Sequence, residues 1–118
     1  KKNNQIYISL TEKGKKKAGW MQINDLKIKK PKKWDGKWRI LLFDIAEMKR
    51  EYREALRGKL KDLNFRLLQK SAWIMPYDCS KEVRLLKSFF RLNDKEIKLI
   101  VSQDIGDDKE FREFFKLN

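Results

Sequence analysis

Asp44 directly follows the apolar run Ile40-Leu41-Leu42-Phe43, which puts a carboxylate where a strand is expected to end. Two chemistries fit it. A hard divalent cation such as Mg2+ takes oxygen ligands, and once bound it can activate water and steady a leaving oxygen. A strand-end aspartate can instead accept backbone N–H bonds in the loop ahead of a helix. One aspartate makes a thin metal site. Glu47, Asp78 and Asp104 are the carboxylates that could join it, and the residues alone leave both readings open.

The rest of the reactive inventory is short. The 118-residue chain has no histidine and a single cysteine, Cys79. That excludes an internal disulfide, a Cys/His zinc site built by one subunit, and His-based acid–base or triad chemistry. Any catalysis would rest on carboxylates, so enzyme or non-enzyme stays an open choice. Ser71 has no nearby base to make it a nucleophile. Cys79 stands just before an expected helix N-cap, a position that can lower a thiol pKa, although a small semi-buried residue is the default there.

Charge is the stronger signal. Thirty Lys and Arg face 17 Asp and Glu, a net charge of +13. An excess of this size on a small domain predicts a nucleic-acid partner. An anionic membrane surface is the lesser competitor, because no stretch approaches the ~18 apolar residues of a membrane span. Lys49, Arg50, Arg53 and Arg57, with Lys70, could follow a phosphate backbone, which supplies affinity and salt dependence rather than sequence choice. Glu51 and Glu54 partly offset them. Lys13, Lys15, Lys16 and Lys17, then Lys29, Lys30, Lys32 and Lys33, have less acidic offset and are the better candidates for DNA contact. Trp38 and Trp73 could stack on single-stranded bases, but their place on strands favours the core or a dimer interface.

These residues need elements to hold them. Length and the 41% apolar content fit about one domain with a modest core. Gln5 to Leu10 alternates like a strand, and Thr11 can cap a short helix with Leu10, Ala18 and Met21 on one face. Lys27 to Lys33, a lysine run around Pro31, reads as a linker or docking arm. Trp38 to Ile45 reads as a central strand. From Lys49 to Leu63, Tyr52, Ala55, Leu56, Leu60 and Leu63 recur at helical spacing. Gly58 costs that helix about 1 kcal/mol relative to Ala, which hints at close packing. Asn64 can end it in a left-handed conformation. Phe65 to Gln69 and Ala72 to Met75 follow as strands, closed by Pro76. Ser80 can cap a helix that buries Val83, Leu86, Phe89 and Phe90. Ile97 to Val101 is a fourth strand and Lys109 to Leu117 a short last helix with Phe111, Phe114 and Phe115. The order βαββαβ predicts an α+β, ferredoxin-like domain: an antiparallel sheet with two helices on one face.

Trp34-Asp35-Gly36-Lys37-Trp38, Leu41-Leu42-Phe43-Asp44-Ile45, then Arg53, Leu56, Arg57 and Leu60 resemble the middle domain of the PaaX family of transcriptional regulators. Phe65, Leu68-Gln69-Lys70-Ser71-Ala72-Trp73 and Pro76-Tyr77-Asp78-Cys79 complete the pattern. That domain is similar to Cas2, the ferredoxin-fold protein of CRISPR spacer adaptation. Tyr7-Ile8-Ser9-Leu10-Thr11-Glu12-Lys13-Gly14 resembles the last wing strand and closing helix of a winged helix-turn-helix. Ala46 departs from the family, where a proline often stands. The resemblance implies residues 1–26 as the end of a winged-helix domain, 27–33 as a basic linker and 34–118 as the Cas2-like domain.

It also implies three functions in order of preference. The first is a dimeric DNA-binding regulator that grips double-stranded DNA and requires no cofactor. The second is a Mg2+-dependent endonuclease or CRISPR adaptation protein in which the Asp44 residues of two subunits share the metal. The third is a dimerisation scaffold. No signal peptide is legible after Lys1-Lys2-Asn3-Asn4-Gln5, so a cytoplasmic protein is expected, and the missing initial Met reads as a fragment of a longer chain.

Overall fold

The computed structural model describes residues 23–43 and 50–117. The wing-like segment and first helix expected before residue 23 lie outside these. Seven elements follow in the order β1 (Trp38–Phe43), α1 (Arg50–Asp62), β2 (Arg66–Gln69), β3 (Ala72–Met75), α2 (Ser80–Phe89), β4 (Ile97–Ser102) and α3 (Lys109–Phe114). The strands form one sheet in the order β2-β3-β1-β4, antiparallel at every pairing. This is the expected α+β fold, consistent with a ferredoxin-like arrangement.

β1 is central because both of its faces are apolar. Leu41 lies opposite Trp73 on one side and Leu99 on the other, and Ile40 lies opposite Ile74 and Ile100. Since successive strand residues alternate between faces, these two rows belong to opposite sides of the sheet. Leu41, Phe43, Trp73 and Met75 form the main core with Leu56 and Leu60 of α1 and Val83 and Leu86 of α2. The helical periodicity read from the sequence therefore aims at this face. On the other side, Trp38 and Ile74 pack with Phe111 and Phe115. α3 thus covers the face that α1 and α2 leave open, a placement its sequence does not specify.

Helix termination follows a single device. Asn64, Arg91 and Lys116 have φ of 73°, 57° and 58°. Each lies one residue before an N–H that reaches back to a carbonyl near the end of the preceding helix: Phe65 to Leu60 at 3.0 Å, Leu92 to Lys87 at 2.9 Å, Leu117 to Arg112 at 2.8 Å. This is the Schellman arrangement, which normally recruits glycine. Asn64 tolerates the left-handed region, whereas the side chains of Arg91 and Lys116 are strained there.

Three local expectations change. A Cβ built on Gly58 meets nothing within 4 Å, so close packing does not account for this glycine. Ser80 is the first residue of α2 rather than its cap. The Asp78 carboxylate accepts the Ser80 N–H at 3.1 Å and its hydroxyl at 2.8 Å, so the capping oxygen comes from further upstream. Finally, the stretch read as a linker or docking arm, residues 27–33, is irregular but attached: Ile28 packs against the core, a contact that a reading of its charge overlooks. Just before it, Ile23 is buried in the core, Leu26 packs against it, and Lys59 Nζ donates to the Asn24 carbonyl at 3.3 Å.

Gly58→Ala and Arg91→Gly should each stabilise the fold by about 0.5–1 kcal/mol, the first by helix propensity and the second by relief of positive φ. Urea denaturation should show higher midpoints with unchanged slopes. A midpoint that falls in either variant would contradict the backbone assignment there.

Candidate functional site

The motif from Trp34 to Arg39 builds a tight polar turn at the start of β1. Asp35 Oδ1 accepts the Lys37 N–H at 3.0 Å, Gly36 takes a φ of 80°, and the Trp34 indole N–H donates to the Lys37 carbonyl at 2.9 Å. Arg39 reaches back one turn and grips Asp35 with both terminal nitrogens, at 3.0 and 2.7 Å. It also donates to the carbonyls of Lys37 at 3.0 Å and Pro76 at 2.8 Å. Arg39 is only 8% exposed. Burying a guanidinium without partners costs several kcal/mol, so this set of acceptors is what lets the charge sit inside a strand. Its Nε alone lacks one. The Arg39 contact holds the Asp35 carboxyl far down, from 3.8 to about 2, and Asp35 raises Arg39 in turn.

A second group closes on the opposite face. Trp38 Nε1 donates to Asp108 at 3.0 Å, and Arg112 Nε donates to the same Oδ2 at 2.9 Å. The Arg112 guanidinium lies 4.8 Å from the Trp34 ring, which is itself 4.9 Å from Trp38. Burial works against charge on Asp108, but the bonds from Trp38 and Arg112 outweigh it and keep the pKa low. Trp34 and Trp38 are therefore structural. Trp38 and Trp73 are buried, as expected of core residues, and offer no platform to a base.

Of the acidic candidates, Asp44 and Glu47 lie outside the described residues. Asp78 is engaged by Ser80, first through its N–H and then through its hydroxyl, and its pKa is lowered accordingly. Asp104 accepts the Gly106 N–H at 2.8 Å. Both serve turns. Among the described residues no three His, Cys, Asp or Glu side chains cluster as metal ligands. Cys79 follows its default reading as a packed residue and goes further: it is fully buried, and desolvation, with smaller contributions from Glu82 and Asp78, pushes its thiol up to about 12.

The basic candidates divide into groups. Lys13, Lys15, Lys16, Lys17 and Lys49 lie outside the described residues. Lys29, Lys30, Lys32 and Lys33 are all exposed on the segment that runs along the fold into Trp34. Lys30, Lys32 and Lys33 line one cleft together with Tyr77 and Lys116. Arg50, Arg53 and Arg57, at spacings of three and four, share a side of α1. Arg50 is paired with Glu54 at 3.0 Å, both ends well exposed. Lys70 is exposed in the β2–β3 turn. Sequence reasoning passed over Lys116 and Arg39. The signal for Arg39 was available: a charge inside an apolar strand, with an aspartate four residues earlier. Lys116 had none, since only the fold carries the C-terminal turn back to residues 28–34.

A ferredoxin-like sheet with a strongly basic, irregular segment packed beside it defines the class. Residues 31–112 match the model of the PaaX protein central Cas2-like domain, and the chain belongs to that family. No curated protein and no solved structure matches it. No helix among the described residues is long and apolar enough to cross a membrane.

Two outcomes follow from this chemistry. The folded pKa of Asp35 lies below its unfolded value, so its stabilising contribution is complete above about pH 4 and fades as pH falls towards 2. Asp35→Asn should therefore flatten the pH dependence of thermal unfolding across that window and lower stability at neutral pH. An unchanged profile would mean that the Arg39 pair carries no linkage. Cys79 should resist a thiol-specific reagent in the folded protein and react at once in denaturant; rapid labelling of the native chain would contradict its burial.

Proposed function

We propose that this chain is part of a DNA-binding transcriptional regulator of the PaaX type, with the Cas2-like domain forming a homodimer and double-stranded DNA as the partner. The observation that carries this reading is the family match over residues 31–112 in a chain of net charge +13. The exposed lysines at 29, 30, 32 and 33 support it, because Leu26, Ile28 and Trp34 anchor the segment that presents them. An anchored row of ammonium groups meets phosphates with less ordering cost than a free tail. Dimerisation has support in the sheet. α3 packs on Trp38 and Ile74, while Ile100, in the same row as Ile40 and Ile74, stays 43% exposed. An apolar surface of this kind suits a self-complementary contact with a second copy.

Retardation of a labelled duplex tests the reading. Binding should weaken steeply between about 50 and 200 mM salt, and replacing Lys29, Lys30, Lys32 and Lys33 with Gln should lower the log–log slope by roughly 0.9 for each lysine in contact. Ile100→Glu should shift the sedimenting species to monomer. Salt-independent binding, or none, would remove the regulator reading. Mg2+-dependent cleavage that disappears in Asp44→Ala would replace it with the endonuclease reading, in which two copies of Asp44 share the metal.

A further inference from the structure

Two adjoining clefts lie where residues 28–34 run against the C-terminal turn. The first has a volume of about 300 Å3 and mixed walls, in which Leu63, Met75 and Phe115 stand beside Lys30, Asn64 and Lys116. The second, of about 210 Å3, is lined by Lys32 and Lys33 among others. Lys30, Tyr77 and Lys116 line both, so the two are continuous along these side chains. Neither lining contains an Asp or Glu, although 17 such residues occur in the chain. The lysines therefore keep their full attraction for an anion there. Asn64, exposed and held at a φ of 73°, lines the first cleft and supplies an amide that can both donate and accept. Apolar side chains with an amide beside them suit the flat body and polar rim of a nucleobase, and the ammonium groups that line both clefts suit a phosphate. One volume stands at the small end of the range for ligand sites and the other below it, which fits one nucleotide spread over both rather than a longer segment.

We infer that the paired clefts bind a single phosphorylated nucleoside unit, base against Leu63, Met75 and Phe115 in the first cleft and phosphate among Lys30, Lys32, Lys33 and Lys116. The unit is either a free nucleotide or the 5′-phosphorylated end of a strand. The inference rests on the nucleic-acid reading only for the choice of ligand class.

The test is an anisotropy titration of the whole chain with fluorescently labelled adenosine 5′-monophosphate. Saturable binding should appear, displaced by unlabelled nucleotide and not by inorganic phosphate at the same concentration. Lys116→Gly removes the charge at a φ that glycine prefers, and should weaken binding roughly tenfold or more without loss of stability. Lys30→Gln should do the same. Competition by a 5′-phosphorylated oligonucleotide but not its 5′-hydroxyl form would assign the site to strand ends; competition by mononucleotide alone would assign it to free nucleotide. Wild-type affinity in both variants would overturn the inference, as would equal displacement by inorganic phosphate or by the 5′-hydroxyl strand. Retardation of a closed circular duplex, which has no ends, separates the two proposals. If it persists while nucleotide binding fails, only the cleft assignment falls. If nucleotide binding holds while duplex binding fails, only the regulator reading does.

Discussion

Trp38 and Arg39 are neighbours on the central strand, and the alternation of a β-strand sends them to opposite faces of the sheet. Each makes the long-range contact on which its face depends. Arg39 ties the opening turn at Asp35 to the Pro76 carbonyl, just ahead of α2. Trp38 is fully buried and ties β1 to α3 through Asp108, Phe111 and Phe115. The magnitudes rank these contacts above the surface pairs. Truncating a buried tryptophan costs about 3–5 kcal/mol, whereas an exposed pair such as Arg50–Glu54 contributes about 0.3–0.5 kcal/mol. The opening motif from Trp34 to Arg39 thus works as a structural clamp in this chain.

That clamp also shapes the basic surface. Lys29, Lys30, Lys32 and Lys33 stand on a segment fastened at one end by Ile23, Leu26 and Ile28 and at the other by Trp34. Their mutual repulsion alone would favour an extended, solvated tail. Apolar anchors on both sides of the lysines turn the tail into a surface with a fixed course. The nearby carboxylates are engaged in turns and caps, Asp35 by Arg39 and Asp78 by Ser80.

The fold was legible because its elements have clear periods and stops. β1 is an apolar run, α1 has helical spacing ending at Asn64, and β3 stops at Pro76, each as observed. Legibility failed where the deciding residue is distant or atypical. The turns that close α2 and α3 place Arg91 and Lys116 at positive φ, residues that give no stop signal, because the back-bonded turn is secured by Leu92 and Leu117 beyond them. The position of Cys79 before a helix left a lowered pKa and a semi-buried packing residue both open; burial decides its pKa, and only packing creates burial.

The candidate site divides along the same line. The amount of basic charge, the absence of histidine chemistry and the membership of a Cas2-like family are local properties of the residues, and the sequence alone determined them. Which lysines share a cleft was decided by the tertiary structure, because β4 and α3 must return the chain before Lys116 can stand beside Lys30. Composition and period are sums over neighbours in the chain. A binding cleft is a coincidence of segments far apart in it, and only the packed sheet, held at Trp38 and Arg39, brings them together.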